Sequence, residues 1–105
     1  MDAQGQGQVK VKEKLKEKTR IRKRYNCIYI NDDKTTFDFV VDSLIEVFQR
    51  TREDAERITL SVHNNGKGIA NSHPLSKDIA ITKQDEVVKM AREQGFPLKV
   101  IIEEI

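Results

Sequence analysis

Tryptophan is missing from this 105-residue chain, which also has one cysteine and two prolines. The single cysteine, Cys27, excludes an internal disulfide and suits a reducing compartment. It lies in an apolar stretch with no nucleophile motif around it, so a buried thiol is expected and a Cys27–His63 hydrolase pair is rejected. Cys27, His63 and His73 have no metal-ligand spacing, and neither a metal nor another cofactor is expected. No apolar run approaches the ~20 residues of a transmembrane helix. Nor does an apolar segment with a small-residue cleavage site follow the basic N-terminal stretch. A cytoplasmic protein without membrane contact is expected. A folded part of this size has a small core, burying about 60% of the surface its unfolded chain exposes, which leaves little room for a large enclosed active site.

What the chain has in quantity is charge, 34% of its residues, and the net +2 conceals an asymmetry. Residues 1–24 hold 9 Lys and Arg against 3 Asp and Glu, whereas residues 25–105 hold 10 against 14. Gln4-Gly5-Gln6-Gly7-Gln8 is low in complexity, and Val9 to Arg24 alternates Lys with small or acidic residues without an apolar stripe. Residues 1–23 therefore read as a disordered basic tail and residues 24–105 as one folded domain.

Within that domain, Tyr25, Ile28, Tyr29 and Ile30 have the β-branched and aromatic content of a strand, which Asn31-Asp32-Asp33 ends. Thr35 stands three residues before Asp38, the spacing of a capping box. Phe37, Val40, Val41, Leu44, Ile45, Val47 and Phe48 then form the apolar face of a helix. Thr51 and Asp54 repeat the cap spacing for a second helix carrying Ala55, Ile58, Leu60 and Val62 inward, stopped at Gly66. Lys67 to Lys77 reads as an exposed loop and Asp78 to Thr82 as a short second strand. Thr82 and Asp85 then cap a third helix that Gly95 closes and Pro97 keeps from resuming. Leu98 to Glu103 is a final strand. The expected order is β-α-α-β-α-β, an α+β domain with a small three-stranded antiparallel sheet and three helices on one face.

With these elements placed, Asn31-Asp32-Asp33 after a strand and Val62-His63 one helical hairpin later, with Ala91-Arg92-Glu93 and Pro97-Leu98, resemble the ClpS family of N-degron adaptors. The resemblance spans Tyr25 to about Glu104. It implies a non-enzymatic, monomeric adaptor that binds proteins by a free, bulky hydrophobic N-terminal residue and delivers them to a Clp-type AAA+ unfoldase-protease. It also implies that Asn31, Asp32 and His63 hold the terminal amine. Thr35, Phe37, Val40, Thr59, Val62 and Leu98 would line the side-chain pocket, and Asp78 and Lys83 would mark the unfoldase-docking face. Phe37 and Thr59 stand where Met is usual, which predicts a preference for aromatic first residues. Ile81 stands where Glu is common.

The chemistry of amine capture agrees with these residue types. An α-ammonium has three donors and a positive charge, so its receptor needs several acceptors, at least one anionic, on rigid elements. Taken singly, Asn31-Asp32-Asp33 would be a turn, and His63 a cation complementing a helix end; the joint pattern reverses both readings. The alternative from another class is a small basic-tailed domain that binds nucleic acid or a ribosomal surface through Lys10 to Arg24. The acidic body and the absence of aromatic residues from the tail oppose specific nucleic-acid binding. The corresponding domain of an N-degron ubiquitin ligase fits poorly with a free-standing chain of this length.

Overall fold

A computed structural model describes residues 22–105; nearly all of the expected tail, residues 1–21, lies outside the described residues. The elements follow as β1 (Tyr25–Ile30), α1 (Phe37–Phe48), α2 (Arg52–Asn65), β2 (Lys67–Ile69), α3 (Lys77–Glu93) and β3 (Lys99–Glu104). The expected order β-α-α-β-α-β is the one observed. Both neighbours of β1 run antiparallel to it, in the sheet order β2-β1-β3.

Strand alternation aims Cys27 and Tyr29 at the helices. The Cys27 thiol reaches the Ala80 carbonyl of α3 at 3.4 Å, and the Tyr29 hydroxyl lies 2.7 Å from Ser43 Oγ of α1. Ser43 Oγ in turn donates to the Val40 carbonyl at 2.9 Å, which leaves the Tyr29 O–H as donor to Ser43. This buried polar pair is therefore satisfied within a core of Val41, Leu44, Phe48, Ala55, Ile58, Val87 and Val100. Each fully buried Val or Leu there contributes roughly 1.5–3 kcal/mol.

The first helix is capped one residue later than the spacing predicts. Thr36, in extended geometry, accepts from the Phe39 N–H at 3.2 Å. Thr35 is turned the other way, its hydroxyl and its N–H both donating to Asp32. The second helix follows expectation: Thr51 Oγ1 accepts from the Asp54 N–H, and Gly66 ends it at φ 90°. Leu60 does not turn inward but is 50% exposed. Ala55, Ile58, Thr59 and Val62 already form the buried stripe at intervals of three and four, and Leu60 falls off it.

The second strand is where the sequence misleads. Asp78 to Thr82 is helical, part of an α3 that Ser76 caps by accepting from the Ile79 N–H. Thr82 is mid-helix, and its hydroxyl donates back to the Asp78 carbonyl. Ile79-Ala80-Ile81 has the composition of a strand, yet Ala80 is fully buried while Ile79 and Ile81 are 49% and 39% exposed. The burial of Ala80, Val87 and Ala91 follows helical spacing instead. The true strand β2 lies in the stretch expected to be loop. Its Gly68 weakens any strand signal but is required by packing: a Cβ there would sit 2.9 Å from Val62 Cγ2. The rest of that stretch is also tied down. Ala70 is buried and donates to the Cys27 carbonyl, Asn71 Oδ1 accepts from the Cys27 N–H, and Leu75 pairs with Tyr25 through two backbone bonds.

Candidate functional site

Two chain exits meet at one corner. The Asn31 N–H, just past the end of β1, donates to the carbonyl of Gly66 at 2.9 Å, just past the end of α2. This bond joins the Asn-Asp-Asp turn to the last turn of α2, which carries Val62 and His63. Gly66 can adopt its left-handed φ without the cost a side chain would bring, so the helix stops where its carbonyl meets β1.

A cavity of about 450 Å³ opens at this corner. Its polar end is formed by Asn31, Asp32, Asp33, Thr35 and His63, and its apolar wall by Phe37, Val40, Thr59, Leu60 and Val62. Eight of the nine residues expected for amine and side-chain binding line this one space. The ninth, Leu98, is buried in the core and does not line the cavity. Two lining residues, Asp33 and Leu60, were not anticipated as site residues. The available signal for Leu60 was its position as a large apolar side chain off the buried stripe of an amphipathic helix.

Asp32 is the most heavily hydrogen-bonded acceptor of the corner. Its Oδ1 receives the Lys34 and Thr35 N–H groups at 2.8 and 2.7 Å, and its Oδ2 receives the Thr35 hydroxyl at 2.8 Å. Partial burial pushes the carboxyl pKa up, but the hydrogen bonds from Thr35 and Lys34 outweigh it and hold the group below the usual Asp value. Asp32 is therefore anionic at neutral pH, and Asp33 adds a second acidic side chain to the rim. This polar end suits a cation with several donors.

The apolar end is firm at its base and looser at its edge. Val40, Thr59 and Val62 are buried, whereas Phe37 is 44% exposed at the mouth. Thr59 Oγ1 donates to the Ala55 carbonyl at 2.7 Å. Its proton is thus used within α2, and its lone pairs remain as acceptors.

Other candidate positions lie elsewhere. Asp78 is exposed on the first turn of α3. Lys83, half-buried on the same helix, donates to the Val47 carbonyl at 2.7 Å and sits 5.5 Å from the centroid of the Phe48 ring. Cys27 is enclosed, and burial pushes its thiol up to about 11 despite the opposing charge of Lys83. Among the described residues no group of three His, Cys, Asp or Glu could hold a metal ion, and no helix is long and apolar enough to cross a membrane. A larger hollow of about 570 Å³ is lined by Ile28, Arg57, Ile58, Ser61, Lys67, Gly68, Ile69 and Glu103. With two cations and one carboxylate it lacks the acceptor set of the Asn31 corner.

Residues 20–101 match the family model of the ATP-dependent Clp protease adaptor protein ClpS. The chain belongs to the ClpS family. It is 45% identical over 87 residues to the ATP-dependent Clp protease adapter protein ClpS of Neisseria meningitidis serogroup A, covering 83% of this chain and 82% of that one. Identity to the ClpS of Acetivibrio thermocellus is 49% over 81 residues, 77% of this chain and 80% of the relative. Among solved structures it is similar to Agrobacterium tumefaciens ClpS2 bound to L-phenylalaninamide. That match has a TM-score of 0.75 and 31% identity, and covers 80% of this chain and 99% of the other. ClpS proteins are adaptors, not enzymes, and the expected absence of catalysis follows from that membership.

Proposed function

We propose that this ClpS-family chain binds proteins through a free, bulky hydrophobic N-terminal residue and passes them to a Clp-type AAA+ unfoldase. The observation that carries the reading is the single cavity in which an anionic, acceptor-rich corner adjoins an apolar wall. The α-ammonium of a substrate would donate to Asn31, Asp32 and His63, the last accepting through a ring-nitrogen lone pair. Its first side chain would lie along Val40, Thr59 and Val62 under the Phe37 ring. Burying a Leu or Phe there contributes roughly 1.5–3 kcal/mol. The ligand of the similar ClpS2 structure, L-phenylalaninamide, is itself a free amine carrying a benzyl side chain, which supports this assignment.

Departures from Met at Phe37 and Thr59 set the first-residue preference. A ring at the mouth adapts less than a thioether, and β-branched Ile and Val are excluded. Thr59, shorter than Met, leaves depth at the base and offers lone pairs to a Tyr hydroxyl or Trp N–H. Phe, Tyr and Trp are therefore favoured over Leu, by no more than about 1–3 kcal/mol.

Docking to the unfoldase is assigned to the face of α3 around Asp78 and Lys83. One ammonium hydrogen of Lys83 is held by Val47, and the other two remain for a partner. The test of the proposal is fluorescence anisotropy with a Phe-initiated peptide in free and N-acetylated forms: the free peptide binds and the acetylated one does not.

A further inference from the structure

Three hydrogen bonds reach the Asp32 carboxylate before any ligand arrives, and they are distributed unevenly. Both backbone donors, Lys34 and Thr35 N–H, converge on Oδ1, while Oδ2 is held by the Thr35 hydroxyl at 2.8 Å. An ionised carboxylate has about four acceptor sites. One therefore remains for an incoming amine, and its direction depends on how the carboxylate plane is fixed. With Oδ1 alone held, the carboxylate can still rock about its Cβ–Cγ bond within the slack of those two bonds; a bond on the second oxygen narrows that motion. The second point of attachment comes from a side chain, not from the backbone, so substitution can remove it without disturbing the turn.

We infer that Thr35 is a positioning residue whose hydroxyl fixes the Asp32 carboxylate so that its remaining acceptor site meets the substrate ammonium. The inference rests on the amine-capture reading above and adds to it a role that Thr35 as a pocket wall would not have. The two roles predict opposite signs. Val is nearly isosteric with Thr and more apolar, so Thr35→Val leaves a mere wall as good or better. For a positioning hydroxyl the same change frees Oδ2, and the carboxylate is held less closely to the direction the ammonium needs.

The test measures binding of a Phe-initiated peptide to the full chain and its Thr35 variants by calorimetry, with melting temperatures recorded for each. The expected result is that Thr35→Val and Thr35→Ala each bind about tenfold more weakly, the scale of one hydrogen bond to a charged group. Thr35→Ser, which keeps the hydroxyl but loses the methyl, stays within about twofold. The Ser and Ala pair makes the comparison without a β-branched side chain, so the test stands even if Thr35→Val fails to fold. Binding by Thr35→Val or Thr35→Ala as tight as wild type overturns the inference and leaves amine capture intact. Equal weakening of the Ser and Ala variants overturns it as well, because the methyl group would then be what matters. A wild-type chain that ignores the free peptide overturns both the functional reading and this one.

Discussion

Gly68→Ala tests the link between fold and site, because its new Cβ would meet the side chain that walls the cavity. The added carbon would stand 2.9 Å from Val62 Cγ2 and 3.4 Å from the Ile58 carbonyl oxygen. Val62 cannot swing aside easily: in a helix its χ1 is confined to one rotamer, and it is buried. Either α2 lifts from the β2 edge or Val62 is forced off its rotamer. Overpacking of this kind costs about 1–3 kcal/mol. Replacing Gly by Ala in a strand recovers roughly 0.5–1 kcal/mol of backbone entropy, so a net loss of about 0–2.5 kcal/mol, near 1 at mid-range, is expected. For a domain of this size the mid-range loss lowers the melting temperature by roughly 5–10 °C. Affinity for a Phe-initiated peptide falls with it, since Val62 and His63 ride on the displaced turn. The clash also predicts coupling: in a Val62→Ala background, Gly68→Ala costs little or nothing. Thermal unfolding of the four proteins measures this directly. A Gly68→Ala chain that melts like wild type and binds peptide normally, or a penalty unchanged in the Val62→Ala background, would refute the reasoning.

Other expectations are more local. Asp32→Ala weakens peptide binding more than Asn31→Ala, by about 1.5–3 kcal/mol for the lost charged hydrogen bond; equal affinity of Asp32→Ala and wild type by calorimetry contradicts the assignment. Burial raises the Cys27 thiol from 9.0 to about 11, so above pH 9 the unfolded chain ionises first and stability falls as pH rises toward 11. Cys27→Ala shrinks that alkaline loss in urea titrations, and a native thiol that reacts rapidly with a disulfide reagent at pH 8 contradicts its burial. Thr59→Met shifts the ranking of first residues from aromatic toward Leu in a peptide panel; an unchanged ranking removes Thr59 from the specificity account. A chain beginning at Arg24 keeps peptide affinity but no longer stimulates degradation by the unfoldase, and full delivery by it would assign the basic tail another role.

The fold and site were legible in the sequence to different depths. Strand β1 and the helices that begin near Phe37 and Arg52 show themselves through residues whose local preference agrees with their tertiary environment. Thr51 caps as its spacing says, and Gly66 ends α2 where only a left-handed residue fits. The error at Ile79-Ala80-Ile81 has the opposite origin. There a strand-like composition sits in a helix because the small Ala80 is what the core accepts, and the cap at Ser76 precedes the segment. Gly68 hides β2 because its reason is contact with a residue six positions earlier, which no local pattern encodes. At the site, the acceptors on the Asn31 turn and His63 could be named, but their meeting depends on long-range pairing, the β1–β2 register and the bond from Asn31 to Gly66. The division of labour between Thr35 and Thr36 was also invisible: adjacent identical residues can be told apart only by which one Asp32 claims.

The central claim is that the corner formed by Asn31, Asp32 and His63 recognises a free α-ammonium beside a hydrophobic first side chain. Anisotropy with one Phe-initiated sequence, free and N-acetylated, isolates it, because acetylation removes the charge and two of the three ammonium donors while leaving the benzyl group in place. Saturable binding of the free peptide alone is the predicted result. Equal binding of the two forms, or of neither, would contradict it.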